Sequence, residues 1–322
     1  MRVSLILFAS LFAAQTASAH EFSPLLRAKK YTEADKAATA RLAADANNAD
    51  ALMTKAHLIL IEGKESRLDE GIKLAEQCVA AHPKNSECYE MRGNVMGTKA
   101  QKAGVLAAIG YIGTIKDSFK KAVELDPNNF GARASLLQFY LQAPLMVGGG
   151  LGKAKDFVVE TRKVDAVAAA LLQATIELSE KDFDHAAATA LSVDAGANVA
   201  FQGKQRNVLT SVGHAMVSDK KYAEAEKIFR EIIKRYAESP HGYFGLGLTL
   251  QEAGKAKEAL PWLEKTNSIE TSAVAFYRIG KSWQAFGDKT KAISAYEKSL
   301  AFKPELTKVA RVDVENQLKT LR

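Results

Sequence analysis

The side chains that could do chemistry are few and scattered. The six histidines, His20, His57, His82, His185, His214 and His241, form no HExxH pair on a helix face and no other metal-ligand spacing, and no Gly-x-Ser-x-Gly elbow offers an activated nucleophile. Carboxylate pairs such as Glu224 and Glu226 have lysine neighbours, which reads as a solvated helix surface rather than an acid–base couple. The run Gly148-Gly149-Gly150-Leu151-Gly152-Lys153 invites a phosphate-loop reading. However, the first glycine of that motif would fall at Val147 and its Ser or Thr at Ala154, and no strand pattern precedes it. An anion held by backbone N–H groups at the following helix start is the residual reading. Cys78 and Cys88 are the only cysteines. In an oxidising compartment they can bridge, and two buried thiols are the alternative. The expectation is a protein without catalytic, metal or cofactor chemistry.

What positions side chains in this chain is a repeat. One skeleton reads Tyr222, Ala225, Phe229, Ile232, then Ala256, Ala259, Leu263, Thr266, then Lys289, Ala292, Tyr296, Ser299, its alanine recurring after 34 and then 33 residues. A second keeps step: Leu209, Val212, Gly213, Met216, then Tyr243, Leu246, Gly247, Leu250, then Phe276, Ile279, Gly280, Trp283. This period and large–small alternation resemble the tetratricopeptide repeat (TPR) family, in which each unit is a helix-turn-helix. The resemblance implies an all-α, right-handed α-solenoid of about eight hairpins plus a C-terminal capping helix. Gly213, Gly247 and Gly280 are expected where the helices of a hairpin cross, with Ala225, Ala259 and Ala292 opposite. Phe229, Tyr296, Tyr243, Phe276 and Trp283 are expected to fill gaps between hairpins. Gly254 and Gly287 suit the turns, Pro304 closes a repeat, and Pro261 is expected near the first turn of its helix.

In chain order, residues 1–19 carry Arg2, an apolar run and Ala17-Ser18-Ala19, the pattern of a secretory signal peptide cleaved before His20. The expected address is periplasmic or secreted. A solenoid then occupies 20–322, irregular over 20–205, consensus-like over 206–306, and capped by a helix at 306–321. A period-breaking insertion at 97–114 contains an apolar, Gly-rich portion and reads as a first-helix extension packed on the solenoid, the sharper alternative being a membrane- or partner-touching loop. A soft joint is expected around 194–204. His20 could bind copper through its amine and ring; a frayed terminus is the simpler reading.

Net charge is +7, and residues 201–322 hold 21 Lys and Arg against 14 Asp and Glu. Because the signs interleave, a solvated surface is favoured over an anion-seeking one, and nothing resembles a nucleic-acid site. The TPR resemblance implies that residues just after the small position line a groove formed by the first helices: His57, Asn94, Gln138, Thr175, His214, Leu248 and Lys281, with Glu87, Glu90, Phe244, Tyr277 and Arg278 nearby. Met53, Glu90, Ala134 and Leu171 stand where the lysines of a chaperone-tail clamp would be, so that ligand is disfavoured. The leading expectation is a non-enzymatic scaffold holding a protein or peptide partner. The alternative is an envelope protein docking on membrane or cell-wall polymer through its basic C-terminal third and the 97–114 insertion.

Overall fold

The computed structural model of the protein describes residues 21–302 and 306–322; the signal-like segment, His20 and Pro304 lie outside them. Among the described residues the structure is an all-α helical repeat without strands: α1 (Ser23–Arg27), α2 (Tyr31–Ala44), α3 (Ala49–Glu62), α4 (Leu68–Ala81), α5 (Ser86–Ala103), α6 (Val105–Leu125), α7 (Phe130–Gln142), α8 (Leu151–Arg162), α9 (Ala166–Ser179), α10 (Phe183–Ser192), α11 (Val199–Ser218), α12 (Tyr222–Arg235), α13 (Pro240–Glu252), α14 (Ala256–Ile269), α15 (Ala273–Phe286), α16 (Lys289–Ala301) and α17 (Lys308–Leu321). In order these make eight helix pairs and a closing helix. The chain divides into two compact units, one reaching Ile176 and the other beginning at Glu177. The division falls inside α9 rather than at 194–204.

Local chemistry starts and stops the helices. Asn48, Asn85 and Asn129 each accept from backbone N–H groups of the helix that follows, satisfying donors a helix start leaves open. Inside hairpins the chain turns through one left-handed residue. Gly254 and Gly287 take that role as expected, at φ 80° and 89°, but Lys29, Lys181 and Lys220 do the same work at 55°, 63° and 61°. At Lys220 the next amide, that of Lys221, reaches back to the Met216 carbonyl at 2.8 Å, as the Lys255 amide does to Leu250. The closing hydrogen bond is the same with or without glycine.

The repeat glycines make room for large residues, not for the alanines expected opposite them. A Cβ at Gly213 would lie 2.6 Å from Phe229, one at Gly247 2.7 Å from Leu263, and one at Gly280 2.6 Å from Tyr296. Gly93 is covered in the same way by Phe119, and Gly245 by Phe229 again. The second helix thus sends a ring or branched chain into the notch, and its alanine, four residues earlier, is fully buried. Pro261 is the sixth residue of α14, past the first turn, so the Lys257 carbonyl loses its intrahelical donor.

The 97–114 insertion is not a single extended helix. Gly104, at φ 83°, splits it, so that α5 and α6 lengthen together as a long hairpin. Tyr111 and Ile112 pack on a core that also holds Leu52, Met91, Phe119 and Leu136. The bond between Cys78 and Cys88 joins the end of α4 to the start of α5 within that core. At the other end of the chain, Val314 and Leu318 of α17 cover Tyr277, Ala292 and Tyr296.

Candidate functional site

In the C-terminal unit the first helices α11, α13 and α15 lie side by side, so residues four apart on each build one shared face. From α11 come Arg206, Thr210 and His214. The Arg206 guanidinium stacks 5.8 Å over the Tyr236 ring, yet its Nε and the Thr210 hydroxyl are buried without a hydrogen-bond partner. His214 packs against Phe229 and Phe244, with ring centroids 5.3 and 6.4 Å away. Burial first, and the Arg278 charge second, push its pKa down to about 4, so its ring is neutral at pH 7. Leu248 follows on α13, half-buried.

The cationic end of the face is held in a lattice of hydrogen bonds. Arg278 donates to Gln251 at 3.0 Å and to Glu252 at 2.6 Å. Its guanidinium and the Lys281 ammonium each lie 5.6 Å from the Tyr277 ring centre, within range of the ring's negative face. The Tyr277 hydroxyl donates to Asp313 of α17 at 2.6 Å. Burial, then that carboxylate, raise the phenol to about 12, while the hydrogen bond holds Asp313 below the usual carboxylate range. Gln284 reaches Gln317 at 2.7 Å and accepts from Tyr296 at 2.6 Å. The expected residues His214, Tyr277, Arg278 and Lys281 are therefore brought together. Arg206, Gln251 and Asp313 escaped the sequence reading because they sit off the small-residue register, and only the four-residue spacing of Arg206, Thr210 and His214 could have pointed to them.

The expected residues of the N-terminal unit are differently placed. His57 and Asn94 are buried, 8% and 5% exposed, instead of facing solvent. The Asn94 carbonyl accepts from Ser135 of α7 at 3.1 Å. Glu90, 2% exposed, accepts from Asn129 at 2.9 Å and fills the space beside Gly131. These polar groups tie one hairpin to the next, because a buried amide or carboxylate is costly unless paired. Gln138 is half-buried on α7, and the Thr175 hydroxyl donates to the Leu171 carbonyl of its own helix.

Other sequence candidates have local partners. His185 pairs with the N-cap Asp182, His241 with Ser239, and His82 with the Asn47 carbonyl. Among the described residues no three His, Cys, Asp or Glu side chains converge to hold a metal ion. The amides of Gly148, Gly149 and Gly150 are spent on the carbonyls of Leu145, Pro144 and Tyr140, which braces the corner ahead of α8. The basic C-terminal third is laced with ion pairs, among them Arg230–Glu226, Arg235–Glu231 and Arg322–Glu297.

Comparison with known proteins adds a family match and distant structural likenesses. Residues 274–301 match the tetratricopeptide repeat model. A tetratricopeptide repeat protein from Parabacteroides merdae is 16% identical over 92% of this chain and 94% of its own, with a TM-score of 0.44. PilF of Pseudomonas aeruginosa is 15% identical over 72% and 97%, with a TM-score of 0.44. A chain of the Cut9–Hcn1 hetero-tetramer of APC/C is 14% identical over 90% of this chain, which spans 52% of that one, also at 0.44. No curated relative matches the chain.

Proposed function

We propose that this chain, a tetratricopeptide repeat protein, is a non-enzymatic scaffold that holds an extended segment of a partner protein across α11, α13 and α15. Repeats of this family serve protein–protein interaction in general. The observation that carries the reading is the stripe on α11. Arg206 Nε and Thr210 Oγ1 are desolvated donors without acceptors, next to the neutral His214 and the half-buried Phe244 and Leu248. Peptide carbonyls would meet the accessible edge of the half-buried Arg206 guanidinium, while an apolar side chain would cover Phe244 and Leu248. Arg278 and Lys281 at the far end favour a carboxylate on the same segment.

The compartment is proposed as extracytoplasmic, on the signal-like character of residues 1–19. A photo-crosslinker at Leu248 should capture a partner in intact cells, whereas one at Lys234, on the exposed side of α12, should not. Capture should fall about tenfold when Arg206→Gln leaves one carbonyl unmet, a loss near 1.4 kcal/mol. Equal capture from both positions would dismiss the face as the binding site.

A further inference from the structure

The N-terminal unit presents a second surface of different chemistry. Between α7 and α8 the chain turns a corner through Pro144, the 3-10 turn Leu145–Val147 and three glycines. Leu145 and Met146 stand at its tip, 79% and 92% exposed, with Leu151 at the start of α8 38% exposed. Two large apolar side chains so fully in water are unfavourable unless something else covers them.

The backbone does not allow them to fold away. Gly148 and Gly150 adopt φ of 96° and 120°, which L side chains rarely tolerate. A Cβ at Gly149 would overlap the Ala143 carbonyl, and one at Gly150 would displace Leu145. The amide of Gly150 is tied to the Tyr140 carbonyl at 2.7 Å and that of Gly149 to Pro144 at 3.1 Å. Exposure is thus built into a rigid turn.

Charge indicates the occupant. The ammonium groups of Lys116, on α6, and Lys153, on α8, converge on Gly148, each 3.7 Å from where its Cβ would stand. Lys153 also donates to the Gly148 carbonyl at 3.2 Å. Neither lysine is in an ion pair among the described residues, in contrast to Lys99, Lys121 and Lys163 nearby in the chain. Ile109, two turns earlier on the same face of α6 as Lys116, is 61% exposed. Projecting aliphatic side chains flanked by unpaired ammonium groups, without a pocket or an aromatic anchor, suit a bilayer surface better than a protein hot spot. Acyl chains would take the tips, and headgroup phosphates the lysines.

We infer that the corner at 144–151 is a membrane-docking element that dips Leu145 and Met146 into an anionic leaflet. No described helix is long and apolar enough to cross a membrane, so contact is interfacial. It stands independently of the partner-binding face.

The test places a reporter at the tip. Met146→Trp in the full chain, mixed with vesicles of phosphatidylglycerol and phosphatidylethanolamine whose acyl chains are brominated, should be quenched beyond the background of the two natural tryptophans. Adding Lys116→Gln and Lys153→Gln should weaken that partitioning by roughly tenfold, at about 1 kcal/mol per lysine near an anionic surface. Brominated phosphatidylcholine vesicles should quench the same reporter less. All three substitutions alter side chains at the surface, and an unchanged thermal melt verifies the fold. A tryptophan at 146 quenched no more than the background would overturn the proposal. So would quenching unaffected by the lysine changes, or a tip protected by a bound protein with vesicles left free.

Discussion

At the scale of single residues, His214 has the most informative environment. Its folded pKa, about 4, lies below the ordinary value of 6.5, so the unfolded chain binds a proton more readily. Stability from this residue is complete above pH 6.5 and is lost as pH falls towards 4. On the order of 3 kcal/mol is at stake for a shift of this size. His214→Gln should flatten the fall in urea midpoint between pH 6.5 and 4 relative to the parent; an unchanged slope would mean that other groups set the acid limb. That His214 lies on the face α11 shares with α13 was readable from its place after Gly213. Its desolvation was not, since Phe229 and Phe244 come from two other helices. The same holds for Glu90 and Asn94, whose partners Asn129 and Ser135 lie beyond α6 and follow no period.

At the scale of helices, the repeat was readable because a notch and a peg recur at constant distance. Which residue fills the notch was not, since glycine, alanine and the large side chain recur together and only their geometry separates them. The structure makes the distinction measurable. Gly280→Ala puts a methyl 2.6 Å from Tyr296 and should cost about 2–3 kcal/mol through overpacking. Gly97→Ala on α5 meets nothing within 4 Å and should stabilise by up to about 1 kcal/mol through helix propensity alone. Urea denaturation of the pair tests this, and equal effects would show that the notch is not tight. Turns were half-readable. Gly254 and Gly287 announce themselves, whereas Lys29, Lys181 and Lys220 bear no mark of the left-handed conformation. The insertion kept its helical character but was divided by Gly104, a residue indistinguishable in sequence from its neighbours Gly110 and Gly113.

At the scale of the molecule, stability in a chain of hairpins is approximately the sum of each unit and its contacts with its neighbours. The Cys78–Cys88 bond closes a loop of about eleven residues and contributes roughly 2.5–3 kcal/mol on a chain-entropy basis. Its reduction should therefore be felt locally. Hydrogen exchange after reduction should speed up in α4 and α5 while 222–301, in the other compact unit, keeps its protection. Uniform loss across both would indicate one cooperative block. The sequence reading located the boundary of regularity near 205, where the repeats become consensus-like. The compact units part within α9, a division that follows contacts between helices and is separate from where the consensus begins.

Phe229 serves two glycines at once: Gly213 on the helix before it and Gly245 on the helix after. A cut at the surface loop 236–239, the obvious seam for exchanging modules, would separate this ring from one of its sockets. Chimaeras that transplant 209–247 as a block keep ring and sockets matched. Those joined at the loop inherit either a void or a collision.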